Sequence, residues 1–291
     1  MQIHYHIGAN CTDGDRLLKS LMRNVESLAR QGIAVPGPGK YRKLLRETVM
    51  ALNGALPAPD TREVLLDAIL DGQEAETLIL SNSTFLCQAP RIFEGGQFYP
   101  MVQAKIEALR ALFPQDRIAL YIALRNPATF IPAVHAQANV KDLQEFMAGL
   151  APEQVMWSGM IERIRDAAPD MTLTVWMNED TPLLWGTILR TISRQPGGVE
   201  LAGEHDLLAT IMQPEGLTRF QAYLSSHPPP NEVQARRIIG AFLDKYAIPE
   251  QIEEELDLPG WDALRVDRLT QAYERDVEKI AAMPGLTFLQ A

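Results

Sequence analysis

The feature that most constrains this chain is a repeated alternation of short apolar runs with longer helical patterns. Residues 3–7 form a β-prone run in which apolar side chains alternate with His4 and His6, and Gly8 ends it. Residues 77–80, 118–124 and 173–177 are further apolar runs of strand length, and 33–35 is a shorter one. Between them, helical spacing predicts helices at 15–31, 41–53, 61–70, 99–113 and 153–168, with Gly32 as the stop of the first. Pro127 and Pro182 suit the first turns of two more.

Strands alternating with helices of this length predict a parallel sheet covered on both faces. Ligands of such sheets lie beyond the carboxyl ends of the strands. Gly8, Ser81, Arg125 and Asn178 are therefore expected along one edge. After about residue 200 helices take over, at 213–225, 232–246 and 261–283, with a stiff connector at 227–230. A last strand at 286–289 is expected to return to the sheet edge. The expected organisation is one α/β domain over 1–291, of which 200–285 is a mainly helical subregion.

The net charge of −10 opposes general binding to nucleic acid or to anionic membranes, so neither is expected as a partner. No apolar run approaches the roughly 20 residues of a membrane span. The opening MQIHYHIGAN lacks a basic stretch followed by an apolar core, so no signal peptide is expected there. Cys11 and Cys87 are too few for a disulfide framework and read as unbridged thiols of a reducing compartment. The expected location is the cytoplasm.

The first candidate site is the loop after the opening strand, Gly8-Ala9-Asn10-Cys11-Thr12-Asp13-Gly14-Asp15. Phosphate loops converge backbone N–H groups and a helix dipole on an anion, usually with a lysine. The motif G-x-x-x-x-G-K-[ST] is not met: Asp15 follows Gly14 and the loop has no lysine. Asp13 and Asp15 put carboxylates where an anion would sit, and one of them is expected to cap the next helix. A carboxylate about 4 Å from a phosphate costs about 1 kcal/mol in water, and about 4 kcal/mol at an effective dielectric of about 20. Tight phosphate binding is not expected.

The run HIGANCTDGDRL, continuing through a helix to GIAVPGPG, resembles the opening of the P-loop sulfotransferases. IALYIALRNPATFIPAVHAQ is similar to that family's second cofactor segment, TLTVWMNEDTP to a strand and Glu-Asp turn of bacterial members, and LTQAYERDVEKIAAMPGLTFL to their last helix and strand. The resemblance runs along nearly the whole chain in order. It implies a three-layer α/β sandwich with a central parallel sheet, of the P-loop nucleoside-triphosphatase-like, sulfotransferase type, with a helical C-terminal part. It also implies transfer of a sulfuryl group from 3′-phosphoadenosine 5′-phosphosulfate to a hydroxyl or amine.

Departures from the family pattern fall at the chemistry. Its loop lysine corresponds to Cys11, its glycine to Asp13 and its two threonines to Gly14 and Asp15, while Thr12 fits. Arg125 matches the arginine for the 3′-phosphate, but the paired serine is Ala133, and Ser83 stands where the catalytic glutamate is common. The residues left to line a donor site are Gly8, Asn10, Thr12, Gly14 and Arg125. Without the lysine, the donor's bridging oxygen loses its stabiliser. Without a carboxylate or histidine, the acceptor loses its base.

Several residues have two readings. Arg125 is an anion clamp or the partner of an acidic neighbour such as Asp13 or Asp15. His135, on a helix ten residues later, is a packed side chain or the weak candidate for a replacement base. His4 and His6 share a strand face, a structural pair lacking a third metal ligand. Cys11 is a loop thiol or a nucleophile. Glu179 and Asp180 are a helix start or an acid–base pair. The four tryptophans read as core, and the acid run 253–255 as a solvated helix face.

Three functions follow. The first expectation is a sulfotransferase-like protein with degraded donor and catalytic residues, a non-catalytic or weakly active binder of a small molecule. The second is an active sulfotransferase using the donor above. The third is another enzyme class on the same scaffold, with Cys11 as nucleophile.

Overall fold

A computed structural model describes residues 1–252 and 258–291; the acid run at 253–255 lies outside the described residues. Six strands form one sheet: β1 (Gln2–Gly8), β2 (Ile33–Ala34), β3 (Thr77–Ser81), β4 (Arg117–Leu124), β5 (Thr172–Met177) and β6 (Leu286–Leu289). Their order is β2-β3-β1-β4-β5-β6, and every pairing is parallel. The chain leaves β1 for the β2–β3 side and then crosses to β4 on the other side. The order therefore reverses at the β1–β4 junction, the place beyond the carboxyl ends where sheets of this kind form a ligand crevice.

Fourteen α-helices lie among the described residues. Before β4 come α1 (Arg16–Met22), α2 (Val25–Ala29), α3 (Arg42–Leu52), α4 (Thr61–Leu70) and α5 (Val102–Leu112). Around β5 come α6 (Pro127–Ala138), α7 (Leu143–Met147), α8 (Trp157–Ala167) and α9 (Thr181–Ser193). The rest are α10 (Leu208–Ile211), α11 (Pro214–Ser226), α12 (Glu232–Tyr246), α13 (Pro249–Ile252) and α14 (Ala263–Ala281).

Strand periodicity divides the core into two layers. Ile3, Tyr5, Ile7, Leu78, Leu80, Leu120 and Ile122 face one layer with α5, α6, α8 and α14. Ile79, Tyr121, Ala123 and Trp176 face the other, with α1 and α9. The structure is thus α/β with both sheet faces covered, as the alternation predicted. Phe220, Leu208 and Met212 form a smaller cluster under α11 and α12, so the helical region has its own core. No helix among the described residues is long and apolar enough to cross a membrane.

One helix differs from expectation. Residues 15–31 form not one helix but two, broken at Arg23 and Asn24. The Asn24 amide donates to the carbonyls of Ser20 and Ala202, at 2.9 and 2.8 Å, and accepts from the Ala202 N–H at 2.9 Å. A side chain that serves a distant loop interrupts the helix, and helical spacing carries no trace of that tie.

Candidate functional site: the crevice beyond β1 and β4

Parallel pairing brings Gly8, Ser81 and Arg125 to the carboxyl ends of three neighbouring strands, with Asn178 just past the fourth. Gly8 has φ +131°, and a Cβ there would lie 2.9 Å from the Ser83 carbonyl oxygen. Only glycine combines that angle with that approach. Beyond it, Cys11, Gly14 and Asp15 take φ values of 54°, 55° and 63°, which curl the loop back on α1.

Inside this loop several polar groups bond to the protein itself, while Asp13 Oδ1 is buried without a hydrogen-bond partner among the described residues. The Asn10 N–H donates to the Tyr99 hydroxyl at 3.2 Å, that hydroxyl donates to Asn10 Oδ1 at 2.7 Å, and Asn10 Nδ2 donates to the Cys87 carbonyl. Thr12 Oγ1 donates to the Ala9 carbonyl at 2.8 Å. Asp13 Oδ2 accepts from the Leu17 N–H at 3.2 Å, which is the helix-capping role expected of one of the two aspartates. Gly14 has no atom within 4 Å of where a side chain would begin.

Asp15 does not pair with Arg125. Its carboxylate is gripped by Arg42, the first residue of α3, at 2.7 and 2.9 Å. Those bonds hold Asp15 below its ordinary pKa of 3.8. Arg125 instead donates to the carbonyl of Cys11 and to Thr129 Oγ1, and no ion pair joins it to Asp13 or Asp15 among the described residues. The expectation that Arg125 pairs with the loop aspartates is corrected because α3 returns its own arginine to the end of β3. The Pro-Gly-Pro-Gly segment before Arg42 was the one local sign that the chain turns back there.

Below the loop lies His6, fully buried, with Nδ1 2.9 Å from Ser81 Oγ. Burial holds its imidazole below the ordinary value, against the pull of the Asp13 carboxylate. His4 bonds the Tyr121 hydroxyl at 2.8 Å. Both histidines thus lie buried on the α1–α9 face and bond through Nδ1, while Nε2 of His6 is buried without a hydrogen-bond partner among the described residues. The ring of His135 packs against Phe146 with centroids 5.4 Å apart, and its Nε2 is buried without a hydrogen-bond partner among the described residues. Cys11 reaches α6 through Sγ, 3.2 Å from Gln137 Oε1, and neither cysteine forms a disulfide.

On the β5 side, Glu179 accepts from the Asn126 N–H at 2.8 Å and from the Tyr273 hydroxyl at 3.1 Å. Burial raises its pKa, against those hydrogen bonds and the charge of Arg125. Asp180 occupies the N-cap position of α9 with Pro182 in its first turn, as expected of a helix start, but its side chain makes no capping bond, and Glu179 instead binds across to α14. Asn126 is the residue that caps a helix here, accepting from the Ala128 N–H at 2.9 Å. All four tryptophans are buried, in keeping with a core role.

No family model and no curated protein matches this chain. Among solved structures it is similar to a sulfotransferase from Alicyclobacillus acidocaldarius, at 12% sequence identity, covering 90% of this chain and 99% of that one, with a TM-score of 0.40. At that distance the chemistry has to be read from the crevice residues themselves.

Proposed function

We propose that the chain is a sulfotransferase-like protein, non-catalytic or weakly active, which binds a small molecule rather than transferring a sulfuryl group. One observation carries this reading: carboxylates of the β1 loop already take up the arginine and a helix N–H that an anion would use. Asp15 takes the place of an anion against Arg42, Asp13 takes the Leu17 N–H in the first turn of α1, and Tyr99 takes the Asn10 N–H. A phosphate entering here would meet two carboxylates and lose the donors it needs. Both unbridged cysteines fit a cytoplasmic location, and the −10 charge fits a partner other than nucleic acid.

Thermal unfolding with 3′-phosphoadenosine 5′-phosphate tests it. A ligand present at about 100 times its Kd adds about 2.7 kcal/mol of stability. The expected result is no shift at millimolar nucleotide, and a rise of several degrees would defeat the reading.

Glu179 favours the second reading, an active sulfotransferase. Its carboxyl has a raised pKa beside Arg125 at the crevice and is suited to accept an acceptor's proton. Transfer of labelled sulfuryl from 3′-phosphoadenosine 5′-phosphosulfate to small alcohols or amines, abolished by Glu179→Gln, would establish it.

A further inference from the structure

A cavity of about 830 Å³ lies between α9, the segment that follows it, and the α11–α12 pair. None of its lining residues comes from the β1 loop or from a strand end. Its volume is that of a site for a drug-sized molecule. Phe220, Leu224 and Ile239 supply an apolar wall, and Pro228, Pro229 and Pro230, with φ locked by their rings, supply a stiff one.

The charges around that wall are unequal. Arg190 is the one arginine, and it is held by Glu204 and, at 2.7 Å, by Glu232. Glu200 also lines the cavity, is exposed, and makes no ion pair or hydrogen bond among the described residues. His205 stands edge-on to Phe220 with ring centroids 5.1 Å apart, and neither of its nitrogens is hydrogen-bonded among the described residues. Burial holds its imidazole below the ordinary value, against the pull of Glu200 and Asp206, which favours the neutral ring that can accept a hydrogen bond. Three glutamates against one arginine leave the lining negative, with an unused carboxylate and an unused imidazole.

We infer that this cavity binds a small organic cation: an ammonium group on an apolar body. Glu200 is the charge partner, His205 accepts an ammonium N–H, and the body lies on Leu224 and Ile239. An anion of the same shape meets the excess carboxylate charge across the half-open cavity and is disfavoured. The cavity shares no residue with the β1 loop, so this inference and the nucleotide test above stand or fall separately.

Calorimetric titration of the full chain with 4-phenylbutylammonium, 4-phenylbutanol and 4-phenylbutanoate tests it, because the three share one body and differ in charge. The ammonium is expected to bind at least about tenfold tighter than the alcohol, and the carboxylate not measurably. Glu200→Gln, at an exposed position, is expected to weaken the ammonium about tenfold and leave the alcohol unchanged. Leu224→Trp, which fills the cavity, is expected to abolish binding of both. Equal affinity for the three probes overturns the inference. So does an ammonium that fails to bind at millimolar concentration, or one indifferent to Glu200→Gln. If Leu224→Trp does not fold, the Glu200 variant decides alone.

Discussion

Arg42 grips both carboxylate oxygens of Asp15, at 2.7 and 2.9 Å, and through Nε donates to the Ser81 carbonyl at 2.9 Å. One side chain from α3 thus ties the β1 loop to the end of β3. The fork-to-fork geometry is the one arginine uses for phosphate, but the anion it holds belongs to the protein.

The first prediction concerns that pair. Asp15→Asn is expected to cost about 1 kcal/mol near neutral pH, the upper range for a partly exposed pair of good geometry. Arg42 lowers the folded pKa of Asp15 from 3.8, so the contribution is complete above that value and fades as pH falls through the lower folded one. Urea unfolding at about pH 7 and about pH 3 should show the penalty shrinking in acid. A penalty of the same size at both values would mean lost packing rather than lost charge.

Gly8→Ala is expected to destabilise by at least about 2 kcal/mol, because φ +131° and a 2.9 Å approach to the Ser83 carbonyl act together. The obstacle is backbone, so Ser83→Gly should not rescue it. Thermal unfolding of the single and double variants separates the two: recovery in the double variant would place the clash in the serine side chain.

Asp13→Ala removes the acceptor for the Leu17 N–H and is expected to cost about 1 kcal/mol, while Asp13→Ser recovers most of it. Denaturant midpoints at unchanged slope are the readout. If alanine were neutral, the aspartate would have no capping role.

His4 governs the acid limb. Burial, aided by the charge of Arg194, pushes it from 6.5 down to about 4. Its folded value is the lower one, so stability is complete above about 6.5 and is lost as pH falls toward about 4. Over that window the wild-type chain should lose on the order of 3 kcal/mol through His4, with His6 and His205 adding in the same direction. His4→Gln, which keeps a partner for the Tyr121 hydroxyl, should flatten the curve of denaturant midpoint against pH. A wild-type midpoint that is level across the window would contradict the assignment.

Much of the frame was legible because strand and helix periodicities are local. The run 118–124 became β4, the Asn126-Pro127 start became α6, and 286–289 returned to the sheet edge beside β5. The site was legible only in part. Glycine at position 8 and acid at 13 and 15 could be read from the loop, and the capping role of Asp13 followed from its place before α1. The Arg42–Asp15 pair spans 27 residues, and Glu179–Tyr273 spans 94. No local spacing encodes which distant side chain arrives at a strand end.

The chain's own pattern of apolar residues determined a parallel α/β architecture, the position of the β1 loop at the carboxyl edge, and an acidic loop without lysine. Only the tertiary structure decided what that acid does, because a carboxylate's effect depends on the charge that meets it. With Arg42 beside it Asp15 is a cross-brace between the β1 loop and the end of β3. Partner choice among charges is made by packing and return of the chain, which lie beyond the reach of sequence neighbours.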